Sequence, residues 1–403
     1  MFPEFNTTGF FVDLLALCFV LLPISILVKS DVAHRTILTI AGAYLIYLIA
    51  PRLLLFYAVF WGVIYLLQQL IARTSETKLS TPIFWTSIIA ALSPMLIWKL
   101  NYEEFSIAFN LILNHGVEAI FPDIIHKIDL ARAIIIPIGL SFATFRGLDL
   151  LVKTWVGKFE GISLPRILFY GFFPPVQIVG PIIEYEEVQN RTQPTSQDIY
   201  DGLIRIAFGL IKVLLIASVL QKSAVIFQTY DSANIIKVWG FLFIYTWFFY
   251  LNFSGYSDLA IGISRLLGYK LKENFSFPYL RRNVSEFWNN WHMSLSRFAQ
   301  RNAFIPLGGY RKKTQHIATL GVIFMIALWH DISWGMVIFA LYHGAGLIAH
   351  RIYSERVKKP SDNIVANWSK ILGTYLFVVL SFPLLVMPLE EAGQFYLALM
   401  GVS

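Results

Sequence analysis

The sequence predicts an all-α polytopic membrane protein: one embedded domain over residues 1–403, with about ten to twelve transmembrane helices and half-length ones beside them. Composition is the first ground. Of 403 residues 57% are apolar, 16% aromatic and only 14% charged, and the mean hydropathy of +0.62 lies far outside the range of soluble domains. The second ground is spacing: apolar runs recur at roughly the 20-residue length that crosses hydrocarbon. The third is that Pro and Gly interrupt one run without charging it.

Gly9–Val28 comes first. It has no positive upstream flank and no small-residue cleavage site, so it reads as a retained span and not a secretion signal. Residues 1–28 carry Glu4 and Asp13 but no Lys or Arg, whereas Lys29 and Arg35 follow. The positive-inside bias therefore places the amino terminus outside and residues 29–35 in the cytoplasm. Cys18, the single cysteine, excludes an intramolecular disulfide and reads as a small core residue. Thr36–Ile49, Leu53–Ile71, Ile83–Leu100 and Ile128–Val152 are the next spans.

Arg166–Ile183 is also apolar, but Pro174-Pro175 and Gly180-Pro181 break it. Irregular backbone survives at membrane depth only where protein or water covers it, so this is a re-entrant or half-length element. Leu203–Phe227, Val238–Phe253, Ile317–His330, Gly335–Ala349 and Ile371–Met387 bring the hydropathy count to ten. No internal repeat is visible, which argues against a two-halves transporter. The longest polar stretch, Glu184–Asp201, is of loop length, so no soluble domain is appended.

Charge is concentrated. Between Arg265 and Lys313 ten basic residues face only Glu273 and Glu286, a net +8 against +7 for the whole chain. Such a cluster reads as the cytoplasmic helix ends meeting anionic headgroups, or as an entrance for a phosphate-bearing donor or acidic carrier protein. Nucleic acid is not expected, because the basic residues sit between membrane segments.

Histidines within apolar sequence are functional-site candidates by default. His330 follows Trp329 and precedes Asp331, in a setting read as an apolar cavity that keeps the ring neutral; Gly335 permits a helix break. His292 lies 38 residues upstream, in an aromatic, amide-rich stretch. Read as one helix, Ser285–Arg301 puts Trp288, His292, Leu295 and Ala299 on one face and Glu286, Asn290, Arg297 and Arg301 on another; Pro306 and Gly308-Gly309 then end it. For His292 alone, a hydrogen bond holding two helices together is the plainer reading. His343 reads as structural or lining, His316 and His350 as interfacial. Asn252–Asp258 reads as a helix start with Ser257 or Asp258 capping it. There is no H-E-x-x-H, P-loop, dinucleotide fingerprint or G-x-S-x-G elbow, so no metal site, nucleotide site or serine nucleophile is expected.

The run Phe253-Ser-Gly-Tyr-Ser-Asp-Leu-Ala-Ile-Gly262, then Glu273-Asn-Phe-x-Phe-Pro-Tyr-Leu280, Glu286-Phe-Trp-x-x-Trp-His-Met-Ser-Leu-Ser296, Ile305-Pro-Leu-Gly-Gly309, Leu328-Trp-His330 and Tyr342-His-Gly344 resembles the membrane-bound O-acyltransferases. The likeness is to the bacterial branch of alginate and peptidoglycan O-acetylation proteins, with teichoic-acid D-alanyl transfer proteins as cousins. The signature core is about 253–344, and Pro137–Phe145 and Phe173–Ile182 extend the resemblance upstream. Two departures from the bacterial pattern stand out: Asp331 replaces a common Gly, and Asn289-Asn290 stand where a basic residue is common.

The resemblance implies helices around a central tunnel and transfer of a short acyl group, acetyl, from a cytoplasmic thioester to a hydroxyl of an envelope polysaccharide. It places His330 as general base and His292 as the second site histidine, positioning the donor or stabilising the oxyanion. It draws substrate-binding residues from Trp291, Asn290, Trp329, Asp331, Ser254, Tyr256 and Asp258. No bound cofactor is implied; the thioester, acetyl-CoA or an acyl carrier, is a substrate. Implied partners are membrane lipids, the acyl donor, the polysaccharide and either a periplasmic esterase-like protein or a carrier protein. D-alanyl transfer to teichoic acid is the alternative enzyme reading, and a proton-coupled transporter or flippase the reading from another class.

Overall fold

The computed structural model describes residues 8–49, 51–100, 139–177, 180–228, 234–357 and 363–402. Among them the regular elements are all helices. They fall into two compact units: Met1–Leu203 with Ala260–Leu271, and Ile204–Leu259 with Lys272–Ser403.

The first unit holds α1 (Thr8–Leu27), α2 (Asp31–Ile49), α3 (Pro51–Thr74), α4 (Ser80–Leu100), α5 (Leu140–Trp155) and α6 (Leu164–Gly171). The expected span Ile128–Val152 begins outside the described residues and ends in α5. The core is aromatic, with Trp61, Phe169, Tyr170, Phe173 and Tyr269 fully buried. The half-length element is present: α6 has only 8 residues, and Pro174–Val176 follows as a 3₁₀ turn. Its broken end leaves carbonyls that hydrocarbon cannot solvate. Arg146 from α5 answers them, donating to Tyr170 O at 2.9 Å and Gly171 O at 3.3 Å while its guanidinium lies over the Trp61 and Tyr170 rings.

Nearby, Asp149, Glu184 and Glu186 bring three carboxylates together. The Lys153 ammonium stands among them at 2.8, 2.9 and 2.8 Å, and so fills the place a cation would take. The basic cluster is also less open than its charge count implies. Arg265 pairs with Asp198 and Asp201, and Lys270 with Asp198, so at least two of its ten cations are ion-paired within the fold. Acidic partners 60 or more residues upstream are invisible to a local charge sum.

The chain enters the second unit along α7 (Ser196–Leu210), which loosens into a π turn at Ile211–Ala217 before α8 (Ser218–Gln228). Then come α9 (Ile235–Leu266), α10 (Val284–Asn290), α11 (Met293–Ala299), α12 (Gln315–His330), α13 (Trp334–Arg356), α14 (Ile364–Leu380), α15 (Phe382–Val386) and α16 (Leu389–Leu399). Phe241, Tyr279, Phe287, Trp291, Val379, Phe382 and Phe395 form its main core.

Six helices among the described residues are long and apolar enough to cross a membrane, against the ten expected: Leu53–Thr74, Ser80–Leu100, Ser196–Ala224, Ile235–Leu266, Trp334–Arg356 and Ile364–Val386. An apolar run does not reveal whether it crosses or ends inside protein. With 16 residues α12 is about 24 Å long at 1.5 Å per residue, short of a hydrocarbon thickness of roughly 30 Å.

The Asn252–Asp258 stretch starts no helix; it lies inside the 32-residue α9. Gly255 is there for close approach. A Cβ on Gly255 would stand 2.6 Å from Val213 Cγ2 and 3.1 Å from Gly209 O, and one on Gly209 would stand 2.9 Å from Gly255 O. The same contact brings Asp258 between two cations, Arg205 Nε and Lys212 Nζ, each at 2.6 Å. Lys212 lies in the π turn, the local unwinding being one that such turns make. Gly255→Ala should therefore overpack this crossing and cost about 1–3 kcal/mol. Gly373→Ala, where nothing lies within 4 Å, is the control. Thermal unfolding in detergent should show a lowered midpoint for the first variant only; equal midpoints would contradict the close packing.

Candidate active site

The site is built in the second unit around a non-helical strand of chain, Lys272–Phe277, that precedes α10. Asn283 caps α10, its side chain accepting from Glu286 N at 2.8 Å. The helix then stops at Asn290, so Ser285–Arg301 is not the single helix its periodicity predicts. His292 takes the left-handed conformation, φ 44° and ψ 54°, and begins α11. Left-handed backbone at a non-glycine costs on the order of 1–3 kcal/mol and persists only where surroundings over-determine it.

Here the surroundings are Asn274, which is wholly buried. Its main-chain oxygen accepts from Met293 N at 2.8 Å, and its Oδ1 accepts from Ser294 N at 3.1 Å. One asparagine thus satisfies two amides that every helix start leaves open. Ser276 N donates in turn to Asn290 O at 3.1 Å. No Gly or Pro marks the break, because a partner distant in sequence imposes it.

Asn274 also holds the His292 ring. Oδ1 lies 3.2 Å from His292 Nδ1 and 2.8 Å from Ser294 Oγ, while Nδ2 donates to Ser257 Oγ at 2.9 Å. His292 is only 3% exposed, with Phe253 edge-on at 4.7 Å. Burial pushes its imidazole well below the usual range, and the charges of His330 and Arg297 act in the same direction. His292 is therefore neutral.

His330 differs from the enclosed setting expected of it: it is exposed, as the last residue of α12. A helix end lifts the side chain out of the apolar run that surrounds it in sequence. The chain breaks at Asp331, also exposed, and Ser333 starts α13 by accepting from Met336 N. Trp329 joins the two site histidines, its ring 4.4 Å from that of His330 and 6.3 Å from that of His292. The structure thus gathers His292, His330 and Trp329.

Five of the other expected binding residues are held by contacts within the second unit. Trp291 is buried among Phe249, Phe275, Tyr279 and Phe287. Asn290 Nδ2 donates to Glu286 O, and Ser254 Oγ to Leu251 O, each within its own helix. Tyr256 is buried in α9, and Asp258 is held by Arg205 and Lys212. His343 is buried with both nitrogens engaged: Trp288 Nε1 donates to Nδ1 at 3.3 Å, and Nε2 lies 2.9 Å from Ser381 Oγ. Ser381 donates onward to Val378 O, which fixes His343 as a structural tie between α10, α13 and α14. The residues missed were Asn274, which holds His292, and Ser257, which holds Asn274. Their stretches were singled out, but nothing in one sequence says that they touch.

A family model described as MBOAT, membrane-bound O-acyltransferase family, matches residues 40–387. The chain belongs to the membrane-bound O-acyltransferase family. It is 29% identical over 313 residues to the "Peptidoglycan O-acetyltransferase" of Helicobacter pylori, covering 68% of this chain and 56% of that protein. It is 28% identical over 276 residues to the "Probable alginate O-acetylase AlgI" of Azotobacter vinelandii, covering 66% and 53%. To the "Teichoic acid D-alanyltransferase" of Bacillus subtilis it is 27% identical over 267 residues, covering 61% and 67%. The chain thus spans little more than half the length of the first two relatives. The MBOAT match runs through both compact units, and with six apolar helices it makes the chain a multi-pass membrane protein.

The neutral, buried His292 has a stability signature. Its folded pKa lies below the unfolded value of about 6.5, so its contribution is complete above that pH and is lost as pH falls below it. His292→Asn keeps a residue type that tolerates left-handed backbone. The stability advantage of wild type over this variant should shrink as pH drops from 7.5 to about 5. Melting in detergent across that range checks it, and a constant difference would mean that His292 is not held neutral.

Proposed function

We propose that this protein is an O-acyltransferase that moves a short acyl group, acetyl, from a cytoplasmic thioester onto a hydroxyl of an extracytoplasmic cell-envelope polysaccharide. The observation that carries this reading is the meeting of two motif histidines beside one tryptophan. His330 stands at an accessible helix end and His292 is buried and oriented behind the Trp329 contact.

The chemistry divides accordingly. The acceptor oxygen attacks the thioester carbonyl carbon while His330 takes the hydroxyl proton. The tetrahedral adduct collapses with loss of the C–S bond, and the departing thiolate takes the proton back from the His330 imidazolium. A thioester is intrinsically reactive, so the protein's main task is alignment and exclusion of water. His292 helps to hold the reactants against His330. The donor and acceptor meet in a tunnel between the helices, and the single domain sits in the bacterial cell membrane with its amino terminus outside. The exposed Lys272, Arg282, Arg311, Lys312 and Lys313 form the part of the basic segment able to meet an anionic donor or headgroup.

The named relatives support both acetyl and D-alanyl transfer, and the B. subtilis relative keeps the second reading in play with an acyl-carrier protein as donor. An esterase-like periplasmic protein would pass an acetyl group on; a carrier protein would deliver D-alanine.

Purified protein in nanodiscs, offered labelled acetyl-CoA or a labelled D-alanyl carrier with an envelope polysaccharide or teichoic acid, separates these. Acetyl ester formation is expected, and His330→Ala should lower it by about 10²–10⁴-fold while the variant inserts and melts like wild type. D-alanyl esters alone would replace the donor assignment, and wild-type-like transfer by His330→Ala would remove the base.

A further inference from the structure

We propose that Asn274 is a positioning residue that fixes His292 in a single tautomer, with the proton on Nδ1, so that Nε2 acts in the site as a hydrogen-bond acceptor.

The donor that faces it fixes the identity of one Asn274 atom. A main-chain N–H can only donate, and Ser294 N points at one side-chain atom of Asn274 from 3.1 Å, so that atom is the amide oxygen. The other end, Nδ2, then donates to Ser257 Oγ at 2.9 Å, which suits a hydroxyl acceptor. Ser294 Oγ, at 2.8 Å, gives its one hydrogen to the same amide oxygen. His292 Nδ1 therefore faces two acceptors: Asn274 Oδ1 at 3.2 Å and, at 3.3 Å, a Ser294 hydroxyl whose hydrogen is already committed. Only a protonated Nδ1 suits both.

A neutral ring with its hydrogen on Nδ1 carries a lone pair on Nε2, and His292 is neutral because it is buried. His292 in this state has no ring hydrogen to offer a developing oxyanion. It accepts instead, in the way that an asparagine oxygen orients the imidazole of a cysteine-protease site toward its proton donor. Since His330 and His292 lie within electrostatic reach, the pair resists holding two added protons, and His292 stays an acceptor while His330 becomes cationic.

Ser257 supports this at one remove. It lies on α9 next to Asp258, whose two ion pairs and the Gly209–Gly255 contact fix its place. Three signature stretches, Phe253–Asp258, Glu273–Asn274 and Trp291–Ser294, thus meet in one hydrogen-bond chain that ends on His292.

The tautomer half of the proposal is independent of the reaction, and only the kinetic half rests on the acyl-transfer reading. Protein labelled with ¹⁵N-histidine in nanodiscs, without substrate, gives the first readout. The His292 signals are identified by their loss in His292→Asn. They are expected to show a protonated Nδ1 and an unprotonated Nε2. Ser257→Ala, which loosens the amide without removing it, should broaden or mix the pattern. Asn274→Leu should abolish it, and Asn274→Asp, which keeps an acceptor facing Nδ1, should retain it. In turnover, Asn274→Asp should move the acid limb of kcat/KM up by about one pH unit or more, because a carboxylate favours the imidazolium. A protonated Nε2 in wild type overturns the proposal, as does a wild-type pattern in a folded Asn274→Leu. An unmoved pH profile in an active Asn274→Asp overturns the kinetic half. Absence of any acyl transfer by wild type removes the proposed function but leaves the tautomer result standing.

Discussion

The buried side chain of Asn274 is the constraint on which the site depends. Its oxygen accepts from Ser294 N at the start of α11 and faces the His292 ring, its amide nitrogen reaches Ser257 on α9, and the main-chain oxygen of the same residue accepts from Met293 N. Remove that side chain and three things lose their cause together: the break after α10, the conformation of His292 and the choice of ring nitrogen. A buried polar group costs free energy unless its partners are complete. Here they are complete, which lets one small side chain specify geometry in an otherwise aromatic core.

The same rule runs through the rest of the molecule. Arg146 covers the carbonyls of the broken α6, Lys153 stands among three carboxylates, and Asp258 lies between Arg205 and Lys212. Each places charge inside an apolar protein, and each meets partners that the fold brings to it. Removing one partner of such a group leaves the other buried and uncompensated, which is worth far more than the pair itself. The fold is pinned by polar contacts at a few points, and hydrophobic packing fills the space between them.

The all-helical class, the half-length element near Pro174, the structural character of His343 and the family were legible in the sequence, because each rests on local composition or a contiguous motif. What failed were readings that extended a local pattern across a tertiary break. The period of Ser285–Arg301 is truly helical, yet Asn274 divides it. The Gly, Ser and Asp of Asn252–Asp258 look like a helix start, yet Gly209 and two cations across the crossing explain them. His330 sits in apolar sequence, yet the end of α12 leaves it accessible. Arg265 and Lys270 look like an open basic face until Asp198 is brought beside them.

The two site histidines therefore differ in kind: His330 is reached from outside, and His292 is set from within. The most direct test is a double-mutant cycle on single-turnover acyl transfer with His292→Ala, Asn274→Leu and the double variant. If Asn274 acts through His292, its loss should slow wild type strongly and slow the His292→Ala enzyme hardly at all. Effects that add to within about 0.3–0.5 kcal/mol would mean that the two residues act independently, and would contradict the account.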